Sequence, residues 1–271
     1  MDRVLVSLTF VCVIIAIIPL ASILYFVSIR GISAMNLDFF TKLPPTPLQT
    51  SGGGMGDAIQ GTLLLVSLAA CIGIPFGIFT GVYVSEYGHN FFGRTVRFLG
   101  DVLVGNPSIV VGVLALVLVV FPLHGYNLAA GVFALAVIMI PVISIATAEA
   151  LKLVPNSIRE ASVALGVRRW RTVLLVVANA KSAVATGVLL AIARVMGETA
   201  PLLLTVGTSY LWFSGLREPI ASLPWYIFSW STQPYAYWQE LAWGAAFILI
   251  VMIMGINIAV RIVTRGKRIS A

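Results

Sequence analysis

An arginine and a glutamate, Arg194 and Glu198, stand one helical turn apart inside an apolar stretch of about residues 183 to 210. A guanidinium in hydrocarbon costs roughly 2.5 to 3.5 kcal/mol, so Arg194 is expected to face a polar interior and to have a partner. One chemistry on offer is oxyanion recognition, because the fixed donors of arginine match a tetrahedral anion while Glu198 weakens the grip enough for release. The alternative is a purely structural ion pair.

A second polar interruption, Asn106-Pro107-Ser108, falls several residues into another apolar stretch. Pro107 removes one backbone amide and opens the helical ladder, while Asn106 and Ser108 supply donors and acceptors at membrane depth, where lone polar groups are costly. These residues either line a polar path or form a kink whose polar groups satisfy the backbone. Thr199, next to Glu198, adds a hydroxyl of a kind that is common at helix contacts in membranes.

A short polar helix is predicted between Pro155 and Gly166. Ser157, followed three residues later by Glu160, predicts a capping box, and Gly166 is suited to end the helix in a left-handed conformation. The small and apolar residues of this helix fall on one narrow face: Ile158, Ala161, Ser162 and Leu165. Two interpretations stay open, since this face either enters a groove of a partner protein or packs on its own bundle as an ordinary connector.

The rest of the chain has the composition of a membrane protein. Of its 271 residues, 59% are hydrophobic and 10% are charged, and the mean hydropathy is +1.02. So few polar residues cannot cover a soluble domain. Long unbroken apolar runs favour helices over barrel strands, which alternate with period two. The two cysteines, Cys12 and Cys71, lie within apolar runs without metal-ligand spacing and are predicted to be small packing residues.

Six apolar runs are long enough to span a bilayer. They lie at about 4 to 29, 58 to 85, 99 to 121, 127 to 151, 183 to 210 and 239 to 263. The predicted organisation is therefore an N-terminal span with an outer loop (1–57), a five-span core (58–263) with a polar loop at about 152–180, and a basic tail (264–271). The first run is too long for the apolar core of a signal peptide, so we expect it to be a retained anchor.

Orientation follows from the basic residues. Most of the 17 Lys and Arg residues fall on the side of the two termini, which the positive-inside pattern assigns to the cytoplasm. The net charge of +7 then calls for membrane lipid and not for a nucleic-acid partner. The sequence lacks a Gly-x-x-x-x-Gly-Lys-Ser/Thr phosphate loop, so ATP binding by that device is not expected. The two histidines, His89 and His124, have no Cys or carboxylate companion at metal-ligand spacing, and no metal site is predicted.

The segment from Leu211 to Trp238 is dense in aromatic residues and punctuated by proline. Its composition indicates an interface, either an aromatic belt at the level of the lipid headgroups or a docking surface for an extracytoplasmic partner. Trp225 and Phe228 are the residues expected to face lipid. The other predicted outer loop, from Gly31 to Asp57, is rich in Pro, Gly and Ser and is expected to be extended and irregular.

Glu160-Ala161-Ser162, followed by Gly166, resembles the EAA motif (Glu-Ala-Ala, three residues, Gly) of the membrane subunits of type I ABC importers, with Ser162 in place of the second alanine. In that family the segment is the coupling helix, which sits in a cleft of the ATP-hydrolysing subunit. The resemblance therefore implies that these four residues contact an ATPase.

Four further segments, beginning at Gly61, Asp101, Leu151 and Ala193, resemble the phosphate-importer permeases of that class, and the PstA type more than its sister PstC type. The likeness covers nearly the whole chain from about Gly52 onward. In these permeases the arginine of the pattern Arg-x-x-Gly-Glu-Thr is implicated in phosphate passage. The resemblance thus favours the oxyanion interpretation of Arg194.

Taken as a whole, the resemblance implies an all-α integral membrane protein, the six-span permease bundle of a type I ABC importer in the inner membrane. Such a chain is not itself an enzyme and needs no cofactor. Its expected partners are a PstC-like second permease, two PstB-like ATPase subunits and a PstS-like extracytoplasmic phosphate-binding protein. The alternatives are the sister permease, a permease for another oxyanion or, from another class, an ion-coupled secondary transporter, which would predict inverted repeats and several buried carboxylates.

Overall fold

The computed structural model describes residues 2–88 and 90–265, and that part of the chain is helical with no strand. In chain order its helices are α1 (Asp2–Ser33), α2 (Leu37–Thr41), α3 (Gly56–Glu86), α4 (Phe91–Gly105), α5 (Ser108–Ala115), α6 (Leu128–Lys152), α7 (Asn156–Ala164), α8 (Arg169–Met196), α9 (Ala200–Leu203), α10 (Leu223–Ser231) and α11 (Ala236–Arg265), with a π-helical turn at Leu116–Val120. His89 and most of the predicted basic tail, including Lys267 and Arg268, lie outside the described residues.

Five of these helices, α1, α3, α6, α8 and α11, are long and apolar enough to cross a membrane. The bent pair formed by α4 and by α5 with its π-helical turn counts as a sixth span if the two parts are taken together. The predicted all-α, six-span fold class is thus confirmed. With alternating directions, α1 begins and α11 ends at the same end of the bundle, where α7 also lies; we call this the α7 end and the opposite one the α10 end.

The core of the bundle is the contact between α3 and α6. A row of glycines four residues apart on α3, at positions 73, 77 and 81, faces Met139, Ile143 and Thr147 of α6, with no room for a β-carbon at any of the three. Small residues let helix backbones approach closely where the bilayer supplies no hydrophobic force to push them together. As a result α6 is the most enclosed span, and α1 lies at the periphery.

The third predicted span, 99 to 121, is not one helix. It is broken at Asn106 and Pro107, and the two parts, Phe91–Gly105 and Ser108–Val120, meet at 103°. Asn106 is extended, with φ −79° and ψ 138°, because a following proline excludes the residue before it from the helical region. The predicted kink is therefore a complete change of direction.

The fifth predicted span, 183 to 210, is shifted and broken. α8 begins at Arg169, well before the apolar run, because the polar residues of its first turns hid the start of the helix from a reading based on hydropathy. It ends at Met196, before the short helix α9 that carries Pro201 at its start. A proline at this position clashes with the carbonyl four residues earlier, which is that of Gly197, and so prevents α8 from continuing.

At the α10 end, part of the aromatic segment is buried within the chain's own core. Tyr226 and Trp230 of α10 are fully buried and stack in series with Trp238, with ring centroids 4.6 Å apart at each step. These three residues are core residues, whereas Phe228 is exposed as predicted and Trp225 is partly buried. Other aromatic residues of the segment are exposed as well: Trp212, Phe213 and Tyr235. Part of the segment therefore forms the core of this end, and for its exposed rings the interface with lipid or a partner stays a prediction.

The loop expected to be extended and irregular is also partly folded. It contains α2, whose N-cap Asn36 accepts a hydrogen bond of 2.8 Å from the backbone of Phe39. Phe39 is fully buried in the aromatic cluster. Cys12 and Cys71, predicted to be packing residues, are both exposed on the surface of this chain and do not pack within it.

Candidate functional site

Arg194 lies in the last turn of α8, where the span is interrupted. Its Nε is 3.5 Å from Oε1 of Glu198, which follows the end of the helix, so the predicted partner is the observed one. The Arg194 side chain keeps 41% of its surface exposed, against 14% for Glu198. The guanidinium therefore points away from the core of its own chain while one carboxylate holds it.

The depth of Arg194 follows from helix packing. Gly187 of α8 lies directly against Ala146 of α6, with no room for a side chain between them. The two helices run in opposite directions, and the seven residues from Gly187 to Arg194 rise about 10 Å. Arg194 is therefore level with the residues around Met139, near the middle of the 25-residue helix α6. Arg194 thus lies near mid-height of the bundle although the helix boundaries differ from the prediction, and its depth in the bilayer stays a prediction.

The two helix breaks lie next to each other. α5 packs against α9, with Gly112 in contact with Pro201. Ser108 lies one turn before Gly112 on α5, and Thr199 lies two residues before Pro201, both toward the α7 end. The elements carrying the predicted path residues are thus brought together by tertiary packing. Interrupted helices at mid-membrane, lining a cavity, are a feature of transport sites.

The predicted short helix is present as α7, but its start differs from the prediction. The N-cap is Pro155 without a side-chain hydrogen bond, and Ser157 lies within the first turn, so the predicted capping box is not formed. The reason is that Pro155 already holds the conformation that opens the helix, with φ −55° and ψ 140°. The predicted end is confirmed, because Gly166 has φ +68° and the amide of Val167 donates to the carbonyl of Ser162 across the last turn.

The face of α7 is divided between the chain and its surroundings. Ile158 packs partly buried into the cluster formed by α6 and α8, and Ser162 is 5% exposed. Glu160, Ala161 and Leu165 are exposed. The predicted narrow face is therefore not one surface: half of it anchors α7 to its own bundle, and the rest points outward together with Gly166.

The sequence did not predict a pair of polar contacts made by two arginines near α7. Arg159 of α7 pairs with Glu86, the last residue of α3, at 2.6 Å, and Arg169 of α8 donates to the Glu86 carbonyl at 2.9 Å. Glu86 had no local signal because its partners lie more than seventy positions further along the chain. The only sequence hint is that a lone carboxylate ends an apolar run beside two tyrosines.

At the α10 end a polar contact is buried within the aromatic cluster. The Tyr226 hydroxyl lies 2.9 Å from Oδ2 of Asp57 and 2.8 Å from the carbonyl of Ser209. Burial, and then the neighbouring Asp57 carboxylate, raises the pKa of the Tyr226 hydroxyl. Tyr226 therefore serves as a neutral hydrogen-bonding group that ties α10 to α3. Across the residues that the structure describes, no group of three or more His, Cys, Asp or Glu side chains could hold a metal ion.

Known proteins share this sequence and this fold. Residues 73–269 match the family of binding-protein-dependent transport system inner membrane components. The chain is 41% identical over 248 residues to a phosphate transport system permease protein PstA of Yersinia pestis, covering 91% of this chain and 84% of that one. It is 36% identical to PstA of Haemophilus influenzae, over 98% of this chain and 95% of that one. A probable PstA of Methanocaldococcus jannaschii is 32% identical, over 96% and 92%.

Among solved structures, a chain of the MetNI methionine ABC transporter in an inward-facing conformation superposes with a TM-score of 0.65 at 16% identity. The match covers 78% of this chain and 96% of that one. At this identity the likeness concerns the fold alone, while the family match and the curated relatives show the family. The chain therefore belongs to the binding-protein-dependent transport system inner membrane component family and, within it, to the PstA type of phosphate transport system permeases.

Proposed function

We propose that this chain forms one half of the membrane pathway of an ATP-driven phosphate importer. A PstC-like permease forms the other half, two PstB-like subunits hydrolyse ATP, and a PstS-like extracytoplasmic protein delivers phosphate. The chain itself is then not an enzyme. Both termini lie on the cytoplasmic side of the inner membrane, which the excess of Lys and Arg at the α7 end supports.

The observation that carries the proposal is the exposed Arg194 at mid-depth, at the point where α8 is interrupted. A charge at this depth is costly unless it faces a polar or aqueous space. Since the side chain points away from its own core, that space lies between this chain and the second permease. We assign Arg194 to transient contact with phosphate during passage.

The groups around Arg194 suit an anion that must be bound and released. The guanidinium offers two parallel donors to a tetrahedral oxyanion. Glu198 competes for the same donors, which keeps the affinity low enough for release. Asn106, Ser108 and Thr199, on the adjacent breaks, supply uncharged polar groups along the same stretch of the path. In contrast to a permanent binding site, such an arrangement favours turnover.

The exposed side of α7 is proposed to contact the ATPase. Val163 is 69% exposed and Leu165 is 82% exposed, which a short helix at the end of a membrane bundle does not leave uncovered without a partner. Glu160 and Ala161 lie on the same side, and Gly166 ends the helix without adding bulk. Ser162 is proposed to act from the other side, by seating α7 on its own bundle. ATP-driven closure of the two ATPases would then pull α7 and open the pathway outward.

Transport measurements on the reconstituted complex test the role of Arg194. Arg194→Gln should abolish phosphate uptake while the complex still assembles, and Glu198→Gln should be milder. If the pair is only structural, each single change loses assembled protein and the neutral double variant restores both assembly and uptake. Recovery of uptake in the double variant would falsify the substrate role. Replacing phosphate by sulfate in the same assay tests the choice of oxyanion.

A further inference from the structure

The Arg159 guanidinium is fully engaged at the α7 end. Its Nη2 donates to Oε1 of Glu86 at 2.6 Å and its Nε donates to Oε2 at 3.4 Å, so the two groups meet edge to edge. Only 24% of the Arg159 side chain and 10% of the Glu86 side chain remain exposed. Such an ion pair is far more shielded than the other pairs at this end, for example Lys152 with Glu149. It therefore fixes a geometry and is not a passing surface contact.

The same guanidinium also closes the end of α6. Nη1 donates to the carbonyl of Val154 at 2.9 Å and Nη2 donates to the carbonyl of Leu151 at 3.0 Å. The last carbonyls of a helix have no partner within the helix, and an arginine is well suited to satisfy them. One side chain of α7 thus connects the ends of two spans, α3 and α6.

Arg169, at the start of α8, completes the group from the other side. It donates to the backbone carbonyl of Glu86 at 2.9 Å, and its guanidinium lies 4.6 Å from the centre of the Tyr87 ring. We call these four residues, Glu86, Tyr87, Arg159 and Arg169, the arginine clamp. Through it the final turn of α3 is attached to both α7 and α8.

The clamp is the principal link between α7 and α3. The backbone of α7 packs mainly against α8. A cavity of about 640 Å³ opens between α7, the end of α3 and the start of α8, and Glu86, Arg159 and Val163 are among its lining residues. Because this region is open and not filled with side chains, the coupling of α7 to α3 depends on Arg159, while Arg169 couples α8 to α3.

We propose that Arg159 and Glu86 act as a strut that transmits movement of α7 to the transport pathway. Resting on the proposed function, the route runs from the ATPase to α7, through Arg159 to the ends of α3 and α6, and along the tight α3–α6 contact. α6 packs in turn against α8, which carries Arg194. Arg159 is thus a positioning residue: it touches neither ATP nor phosphate, and it makes the ends of α3 and α6 follow α7, in addition to the direct packing of α7 on α8.

The chemistry of the strut requires arginine. Three separate acceptors, the Glu86 carboxylate and the carbonyls of Leu151 and Val154, are held by one planar group. A lysine ammonium keeps the charge but is a point donor on a flexible stem and cannot span all three. Arg159→Lys therefore separates charge from geometry.

The test compares Arg159→Lys and Glu86→Gln with a matched control, Arg168→Gln, an exposed arginine of the same loop. Purified complexes containing all subunits are reconstituted, and phosphate uptake and ATP hydrolysis are measured per assembled complex. We expect both clamp variants to assemble and to hydrolyse ATP, while phosphate moved per ATP falls by about tenfold or more, within the usual range of coupling between sites. The control should keep the ratio of the unmodified complex.

A second readout does not depend on the transported anion. In a chain with Cys12 and Cys71 replaced by alanine, Ser108→Cys reports ATP-dependent access of a water-soluble maleimide to the pathway. Access should change with ATP in the control and not in the clamp variants. If access changes with ATP in the control and not in the clamp variants, but the control complex takes up no phosphate, the proposed substrate is wrong while the strut stands. An unchanged ratio of uptake to hydrolysis, or loss of assembly in both clamp variants, would overturn the strut.

Discussion

The two ends of the bundle differ in how far their large apolar side chains are buried. At the α10 end, Tyr226, Trp230 and Phe39 are completely buried against residues of the same chain. At the α7 end, Leu153 and Leu165 are 79% and 82% exposed. The α10 end has an aromatic core of its own in addition to exposed residues such as Phe213, whereas these leucines of the α7 end are not covered by their own chain.

The polar contacts differ in the same way. At the α10 end a neutral tyrosine hydroxyl links α10 to Asp57 inside an aromatic stack. At the α7 end the links are an ion pair between Arg159 and Glu86 and a hydrogen bond from Arg169 to the Glu86 carbonyl, placed beside an open cavity. Close packing resists any displacement, whereas a few long directional side chains hold elements together and still let them move as a unit. We therefore expect the α10 end to be rigid and the α7 end to move.

Removal of a ring from the core of the α10 end should have the largest effect on stability. Trp230→Ala empties the centre of the stack, which should cost about 3–5 kcal/mol of folding free energy. Thermal unfolding of the purified chain in detergent measures this, and Phe228→Ala, on the exposed side of the same helix, is the matched control. Equal effects of the two substitutions would contradict the view that the aromatic segment is an internal core.

An exposed leucine of the α7 end should matter for assembly with the ATPase and not for folding. Leu165→Asp should leave the unfolding temperature of the isolated chain unchanged. It should reduce the amount of ATPase that co-purifies by about tenfold or more, since burying a leucine side chain is worth about 1.5–3 kcal/mol. Phe213→Asp, which alters an exposed apolar residue near the α10 end, should keep the ATPase. Wild-type amounts of ATPase with Leu165→Asp would place the docking surface elsewhere.

The smallest effect is expected at the end of α7. Gly166→Ala places a β-carbon in a left-handed conformation, which costs about 1–2 kcal/mol and should loosen the last turn. ATPase co-purification should fall only several-fold. Gly166→Asn tests the cause, because asparagine tolerates the left-handed conformation better than alanine although its side chain is larger. If Gly166→Asn loses more ATPase than Gly166→Ala, side-chain volume at this position limits docking and the backbone conformation does not.

Local sequence signals identified most of the fold. The spans α1, α3, α6 and α11 were predicted within a few residues, because long apolar runs have no stable form in a bilayer other than a helix. Hydropathy alone gave wrong boundaries where a helix includes polar residues or where an apolar run is broken. The polar first turns of α8 hid its true start at Arg169, and the proline rule at Asn106 predicted a kink without its size of 103°.

The candidate site was predicted in part. Arg194 and Glu198 were paired from their spacing, since one helical turn is a local distance that sequence specifies. The proximity of the break at Asn106 to the break at Thr199 was not available from sequence, because it depends on packing between α5 and α9. Glu86 was missed for the same reason, as its partner Arg159 is remote in the chain.

Composition, periodicity and single-residue geometry were therefore enough to predict a helical membrane protein, the pairing of Arg194 with Glu198 and the left-handed end at Gly166. What only the tertiary structure decided was which side chains are covered. Exposure of a tryptophan or a leucine depends on the neighbours that the fold brings, and a bilayer gives apolar residues no preference between lipid and protein. For that reason Trp230 proved to be a core residue while Trp212 of the same segment is exposed, and the packing around α7 leaves Leu165 exposed.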